Sequence, residues 1–428
     1  MDHKKLNRQI AAGIIGGIAL GLLFAFEVIP AAVLGINLVE VARFVGNLFT
    51  KLLKVIVVPL VFFSIFCGVS SLGDMKNIGR LGRRTIAYYL VTTFIAVTIG
   101  LVLVNVIRPG VGLTASGDAA PAVVERSKDV TVGTMLTDQV SAFFINPFQA
   151  LAEGKIIPII LASIFLAIGV LKATHAKKQV VLDFMSVVNE AVMHITQLVL
   201  RLAPIGIAGI LIRVLFDYRL KLDMLVKSLS LFALTSLLGL AIHGFIVLPL
   251  ILKFFSQRTF REFFGGIAEA LQVAFGTDSS SATMPVTLNC VQDNLKVSKK
   301  TSDFVIPIGA TINMDGTALY EAVCALFIAQ ALGMELSFMQ QVIVFFTATV
   351  ASVGAAGIPS AGLVTLVLVI NAVGIPYDKA VPFIGTIWAI DRFIDMCRTT
   401  VNVEGDCVGC VVIDEMESPS PGDDAADA

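Results

Sequence analysis

Residues 10–26, 90–106 and 229–252 contain no Asp, Glu, Lys or Arg, and each run is about as long as a bilayer is thick. A helix rises about 1.5 Å per residue, so roughly 20 such residues cross a hydrocarbon core. The chain is 56% hydrophobic and 15% charged, whereas a soluble domain carries about 25% charge. That is more apolar surface than one water-facing fold can hide, and the pattern predicts an all-α membrane protein.

Six conventional spans are expected at 10–29, 38–70, 84–108, 138–172, 184–213 and 226–252. The formal net charge of -1 says little, because the informative charges are placed by loop. Basic residues gather at Lys4, Lys5 and Arg8, at Lys76, Arg80, Arg83 and Arg84, and at Lys172, Lys177 and Lys178. They gather again at Lys253, Arg258 and Arg261, and at Lys296, Lys299 and Lys300, while the alternate connections have almost none. By the positive-inside rule these loops and the N-terminus face the cytoplasm, although the basic stretch 213–227 breaks the pattern. The first apolar run has no small-residue cleavage site after it and reads as a retained helix. A polar connection, 109–138, is expected outside the membrane, and the Pro- and Asp-rich tail from Ser418 is expected to be disordered. Cys407 and Cys410 have a redox-like spacing but no second pair beside them, so they read as small helix residues.

The last third of the chain differs. Its apolar stretches are interrupted by Thr277-Asp278-Ser279-Ser280-Ser281 and by the Gly- and Pro-rich run 351–362. Each interruption has flanks of about half a membrane, so each reads as a re-entrant helical hairpin with its tip at mid-depth. Backbone freed there survives only if it is buried in protein or lines a cavity. After each hairpin an Asn-x-acid-Gly motif follows, at Asn313-Met314-Asp315-Gly316 and at Asn402-Val403-Glu404-Gly405, and both are expected to break their helices. The first hairpin enters from the basic side and the second from the opposite side. That alternation predicts two inverted repeats around a midplane site.

Asp315, Glu321, Asp391, Asp395, Arg398 and Asp406 all fall in apolar segments. Each charge at the bilayer centre costs on the order of 2.5–3.5 kcal/mol, so the set needs compensating ions, ligands or protons. Internal salt bridging is the plain alternative, but five acids face one strongly placed base, Arg398. Asp395 and Arg398 lie three apart on one helical face, which suits an ammonium and a distal carboxylate respectively. The hairpin tips offer hydroxyls, exposed amides and a half-helix N-terminus to a second carboxylate.

Taken together, Ser279-Ser280-Ser281, Asn313 to Thr317, the Gly/Pro second tip, and Asp395 to Asn402 with Gly405-Asp406 resemble the dicarboxylate/amino acid:cation symporter family. The resemblance implies eight transmembrane helices plus two re-entrant hairpins, working as an elevator-type homotrimer in the inner (plasma) membrane. Residues 1–83 would form scaffold helices 1 and 2, 84–137 helix 3 and the exterior loop, and 138–225 scaffold helices 4 and 5. Residues 226–415 would form the transport core and 416–428 the tail. The partners implied are an acidic amino acid, sodium and the lipid bilayer, with no nucleic acid and no enzymatic chemistry.

By the same resemblance, substrate would be held by Asp278, Ser280, Thr317, Ile358, Gly362, Asp391, Asp395, Arg398, Thr399 and Asn402. Three sodium ions are implied. One would sit among Gly309, Asn313, Asn402 and Asp406, and a second among Thr311, Ser352, Val353 and Ala355. A third would use Tyr89, Thr92 and Thr93 with Asn313 and Asp315. An arginine at 398 is similar to carriers of acidic amino acids, which leaves a neutral amino acid such as serine or alanine as the alternative. Glu321 resembles a proton-carrying glutamate of animal carriers, and a structural acid satisfied by a hydroxyl is the competing reading. For Asp278, where archaeal members carry arginine, three readings stand: pairing with Arg392, carrying a proton, or solvation at the cytoplasmic mouth. The four histidines, His3, His175, His194 and His243, lie outside the motif region and leave the serine-rich tip without a nearby base.

Overall fold

A computed structural model describes residues 3–33, 36–73, 80–113, 145–153, 156–354 and 361–417. Among the described residues, sixteen α-helices follow in chain order. The first group is α1 (His3–Ala25), α2 (Leu38–Gly73), α3 (Arg80–Ile107), α4 (Pro147–Glu153), α5 (Ile156–Lys172), α6 (Lys178–Leu200) and α7 (Ala203–Asp217). The second is α8 (Leu222–Ile242), α9 (Leu248–Phe255), α10 (Phe260–Thr277), α11 (Ser280–Asn289), α12 (Lys299–Ile312), α13 (Asp315–Ala331), α14 (Phe338–Gly354), α15 (Ala361–Ala372) and α16 (Tyr377–Glu417). One detail departs from the all-α expectation: Ala32–Val33 pairs antiparallel with Ile36–Asn37 in a two-stranded ladder.

Among the described residues, four continuous stretches are long and apolar enough to cross a membrane: Arg8–Ala25, Arg80–Ile107, Leu222–Phe255 and Lys299–Ala331. The expected fifth span, 184–213, is instead a bent pair, α6 and α7, meeting at 52°. Pro204 starts α7 at a position where its missing amide costs nothing, and the turn at Arg201 and Leu202 ends α6 just before it. The two pieces serve different neighbours. α7 packs along α1 and α2, while α6 packs chiefly along α2. Small residues make the α1–α7 crossing close: a Cβ added at Gly17 would stand 2.7 Å from the Ala208 Cα. In lipid, where apolar burial no longer drives association, such close backbone packing is what holds helices together.

The sixth span contains a wide turn. Between α8 and α9, residues His243–Val247 follow a π-helical path in which the Leu248 amide bonds to the His243 carbonyl. Pro249 follows at once and has no amide for the carbonyl four residues back, so the chain widens there.

The first hairpin forms as anticipated. α10 opens on a capping box, with Glu262 accepting from the Thr259 amide at 3.0 Å while Thr259 Oγ1 accepts from the Glu262 amide at 3.3 Å. These Thr259 donors hold the exposed Glu262 carboxyl below its usual range. At the tip Asp278 takes a left-handed conformation (φ 55, ψ 39), and Ser279 caps α11 by accepting from the Ala282 amide at 3.2 Å. The second hairpin has arms α14 and α15, and its tip, 355–360, lies outside the described residues, as do most of the 109–138 connection and the tail from Ser418.

The two Asn-x-acid-Gly motifs behave differently. Asn313 and Met314 leave helical geometry and separate α12 from α13, as expected. The second motif does not break its helix: α16 runs unbroken for 41 residues, straight through 402–406. Gly405 is there for close packing, since a Cβ on it would stand 2.9 Å from Asn313 Nδ2. Asn313, Met314 and the turns of α13 that follow are buried inside the protein, which is why a polar break there is tolerated.

Candidate ion and substrate site

The break in α12–α13 is the centre of the site. The last carbonyls of α12 have no intrahelical donors beyond the break, apart from that of Gly309, which accepts from the Asn313 amide at 2.9 Å. Across from it, α16 presents Asn402 and Asp406 one turn apart. Asn313 Nδ2 donates to Asp406 Oδ1 at 2.8 Å, and the Gly316 amide donates to Asn402 Oδ1 at 2.8 Å. The Asn313 Oδ1 is buried and has no hydrogen-bond partner among the described residues. A Cβ at Gly309 would sit 2.3 Å from Asp406 Oδ1 and 2.5 Å from the Tyr89 hydroxyl, so only glycine lets these groups converge. The four residues of the first expected sodium group are therefore neighbours. Because α16 is continuous here, the Asn402 carbonyl is not released by a break as expected, and its side chain faces the site.

The third group meets the first across Gly405. Thr93 Oγ1 donates to Asp315 Oδ1 at 2.5 Å, and Tyr89 donates to the Val305 carbonyl at 3.0 Å. Thr92 is fully buried but turns its hydroxyl to the Tyr89 carbonyl of its own helix, at 3.1 Å. Asp315 has a further neighbour that the sequence reading dismissed. His243 Nε2 lies 3.0 Å from Asp315 Oδ2, and neither side chain has any exposure. His243, outside the motif region in sequence, thus reaches the Asn313–Thr317 motif in space: 72 positions of separation close up because α8 packs beside α13.

Of the second group, Thr311 is in the last turn of α12, and Ser352 and Val353 are in the last turn of α14. Their hydroxyls bond within their own helices, Thr311 to Ile308 O and Ser352 to Thr349 O, each at 2.9 Å. The last-turn carbonyls, not these hydroxyls, are the groups left for a cation. Ala355 lies outside the described residues.

The charged cluster sits one to two turns earlier on α16. The Arg398 guanidinium is 2% exposed, pairs with Asp395, and lies 3.6 Å from Asp391 Oδ1. Its carbon stands 4.4 Å over the Tyr320 ring centre, and its Nη1 has no hydrogen-bond partner among the described residues. Gly362, the first described tip-side residue of α15 after Ala361, packs on the guanidinium: a Cβ there would be 3.1 Å from Nη1. Thr317 and Ser280 are both buried, and Asn402 Nδ2 donates to Thr317 Oγ1 at 3.4 Å. Ile358 lies outside the described residues. Asp278 is held by Arg392 on one carboxylate oxygen and by Thr399 Oγ1 on the other, at 2.9 Å. Glu321 accepts from the Thr365 hydroxyl with one oxygen, and its other oxygen has no hydrogen-bond partner among the described residues.

Two groups escaped the sequence reading. His243 gave no signal beyond being a histidine in an apolar run. Glu404 was counted only as the acid of a motif. It is 3% exposed, its Oε1 has no hydrogen-bond partner among the described residues, and its Oε2 abuts Gly244, where a Cβ would be 3.1 Å away. An acid among the buried residues 401–413 of α16 was the available warning.

Unpaired buried donors and acceptors, a helix broken inside the apolar bundle and a hairpin tip facing a charged cluster are together the features of an ion-coupled membrane carrier. The profile of the sodium:dicarboxylate symporter family matches residues 6–416. Relatives include human excitatory amino acid transporter 2, 34% identical over 95% of this chain and 78% of its own length. Mouse excitatory amino acid transporter 3 is 36% identical over 91% and 84% respectively, and Ambystoma tigrinum excitatory amino acid transporter 1 is 34% identical over 87% and 77%. The chain belongs to the sodium:dicarboxylate symporter family.

Proposed function

We propose that this protein takes up an acidic amino acid, L-glutamate or L-aspartate, by coupling it to sodium entry. The observation that carries this reading is Arg398. A guanidinium buried among Asp391, Asp395 and Tyr320, with Nη1 unbonded, is a ready donor for a carboxylate that enters the cluster. The neighbouring Asp395 suits the ammonium. A side-chain carboxylate would draw Arg398 partly away from Asp395, freeing that acid as the ammonium arrives. The relatives' names point to the same substrate class.

Sodium is the second cargo. Hard oxygen donors are what it needs, and the break at Asn313, Met314 supplies them beside Asp315 and Asp406. We assign one ion to Gly309, Asn313, Asn402 and Asp406, one to the last-turn carbonyls of Thr311, Ser352 and Val353 with Ala355, and one to Tyr89, Thr92 and Thr93 with Asn313 and Asp315. Three sodium ions with one anionic amino acid carry two net charges, worth roughly 4–5 kcal/mol per 100 mV of membrane potential. The proposal extends to eight spans with two inverted hairpins, an elevator motion of the core, a homotrimer, and a plasma-membrane location with the N-terminus cytoplasmic.

The test is sodium-gradient-driven uptake of labelled L-aspartate and L-glutamate into proteoliposomes, for wild type and Arg398→Ala. Uptake that requires sodium and is lost in the variant is the expected result. If wild type ignores both acids and accumulates serine or alanine, the neutral-substrate reading holds and Arg398 serves charge balance.

A further inference from the structure

The substrate set contains more acid than an anionic substrate should tolerate. Asp278, Asp391 and Asp395 converge on it, and Asp278 meets Asp395 directly, carboxylate to carboxylate. Arg398 compensates Asp391 and Asp395. Asp278 reaches the same cluster from another element: it occupies the left-handed turn just before the Ser279 cap of α11 and is 1% exposed. Ser279 takes the cap of α11 and bonds the Ala282 amide, so the amides of Ser280 and Ser281 open the helix. Those amides and the positive end of α11 attract any carboxylate within reach.

An acid one residue before the cap is within reach. Asp278 is nevertheless turned away, with both oxygens taken from the α16 side: Arg392 Nη1 donates to one and Thr399 Oγ1 to the other. Arg392 is 24% exposed along its side chain, and the carboxylate it bonds is that of Asp278, with Asp391 feeling its charge from farther off. We propose that Arg392 is a positioning residue for substrate: by clamping Asp278 against Thr399, it keeps the protein's own carboxylate off the amides of Ser280 and Ser281 and leaves that anion seat to the substrate.

Without the clamp, Asp278 becomes a tethered competitor. A tethered group reaches effective concentrations in the millimolar range or above, so substrate would have to displace it at every cycle. Arg392 also offsets the charge of Asp278, so its loss adds a net negative charge next to an incoming anion. Both effects weaken substrate binding, and both vanish when Asp278 is neutral. The prediction is therefore a coupling between two residues, which a general role of Arg392 in stability would not produce.

This inference rests on the acidic-substrate reading above, and wild type assayed in parallel separates the two. If wild type fails to accumulate acidic amino acids, that reading fails. If wild type transports them, the variants decide the role of Arg392. KM and maximal rate for sodium-driven L-aspartate and L-glutamate uptake would be measured for Arg392→Gln, Asp278→Asn and the double variant in proteoliposomes. The expected result is a KM raised about tenfold or more by Arg392→Gln in the wild-type background, with the maximal rate changed much less. In the Asp278→Asn background the same substitution should change KM by about twofold at most. An equal KM increase in both backgrounds, or a loss confined to maximal rate, overturns the proposal. If Arg392→Gln does not reach the membrane folded, Arg392→Met replaces it: a KM increase abolished by Asp278→Asn supports the clamp, and an unchanged KM with Asp278 present overturns it.

Discussion

His243 Nε2 lies 3.0 Å from Asp315 Oδ2, in a contact from which solvent is wholly excluded. Thr93 holds the other oxygen of the same carboxylate, so two helices orient one acid. A hydrogen bond to a charged group is worth about 1.5–3 kcal/mol when buried. His243→Ala should therefore leave Asp315 poorly aimed and raise the sodium concentration for half-maximal uptake about tenfold or more. The sodium dependence of uptake at saturating substrate checks this. An unchanged sodium requirement would mean that Asp315 is held by Thr93 alone.

Gly309 leaves no room for a side chain between Asp406 and Tyr89. Gly309→Ala should push Asp406 away from Asn313 and abolish the sodium-induced rise in thermal stability of the purified protein. Overpacking of this kind costs about 1–3 kcal/mol, so the protein should still fold and melt a few degrees lower. Asp406→Asn should also lose the sodium response, with little change in melting temperature without sodium.

Glu321 carries a specific expectation about protons. If it moves a proton with the substrate, an inward proton gradient at fixed sodium and voltage should accelerate uptake, and Glu321→Gln should remove that dependence while uptake persists. Uptake by wild type that ignores the gradient would leave Glu321 as a structural acid bonded to Thr365.

The scaffold crossing makes a packing prediction. With 2.7 Å between a Cβ at Gly17 and the Ala208 Cα, Gly17→Val should force α1 and α7 apart. A loss of about 1–3 kcal/mol is expected in detergent, read as a lower melting temperature. Sodium-coupled uptake by the protein that remains folded should keep its wild-type KM, because the crossing at Gly17 and Ala208 is formed by neither the substrate nor the ion residues.

Legibility varied with the range of the interaction. The first hairpin was readable because its signals are local: a polar tip between apolar arms, a capping Ser279 and an Asp278 at the turn. The break at Asn313 was readable for the same reason. The matching prediction at Asn402 failed, because an Asn-x-acid-Gly motif does not say whether its glycine frees a turn or admits a neighbour. At Gly405 the neighbour is Asn313, 92 positions earlier, and the helix continues. The fifth span was misread as one helix, since hydropathy sums over the bend at Arg201 and Leu202 without seeing it.

Sequence alone determined that this chain belongs in a membrane, where its hairpins fall, and which residue types supply oxygen donors and charge. Those properties follow from hydropathy and backbone preference, which act between near neighbours. Only the tertiary structure decided which charges meet. Arg392 and Asp278 are 114 positions apart and His243 and Asp315 are 72 apart, and in each case several polar groups were available as partners. Choosing among them depends on the depth and rotation at which packed helices settle, which glycines such as Gly309 and Gly405 set by how closely they let backbones and side chains approach.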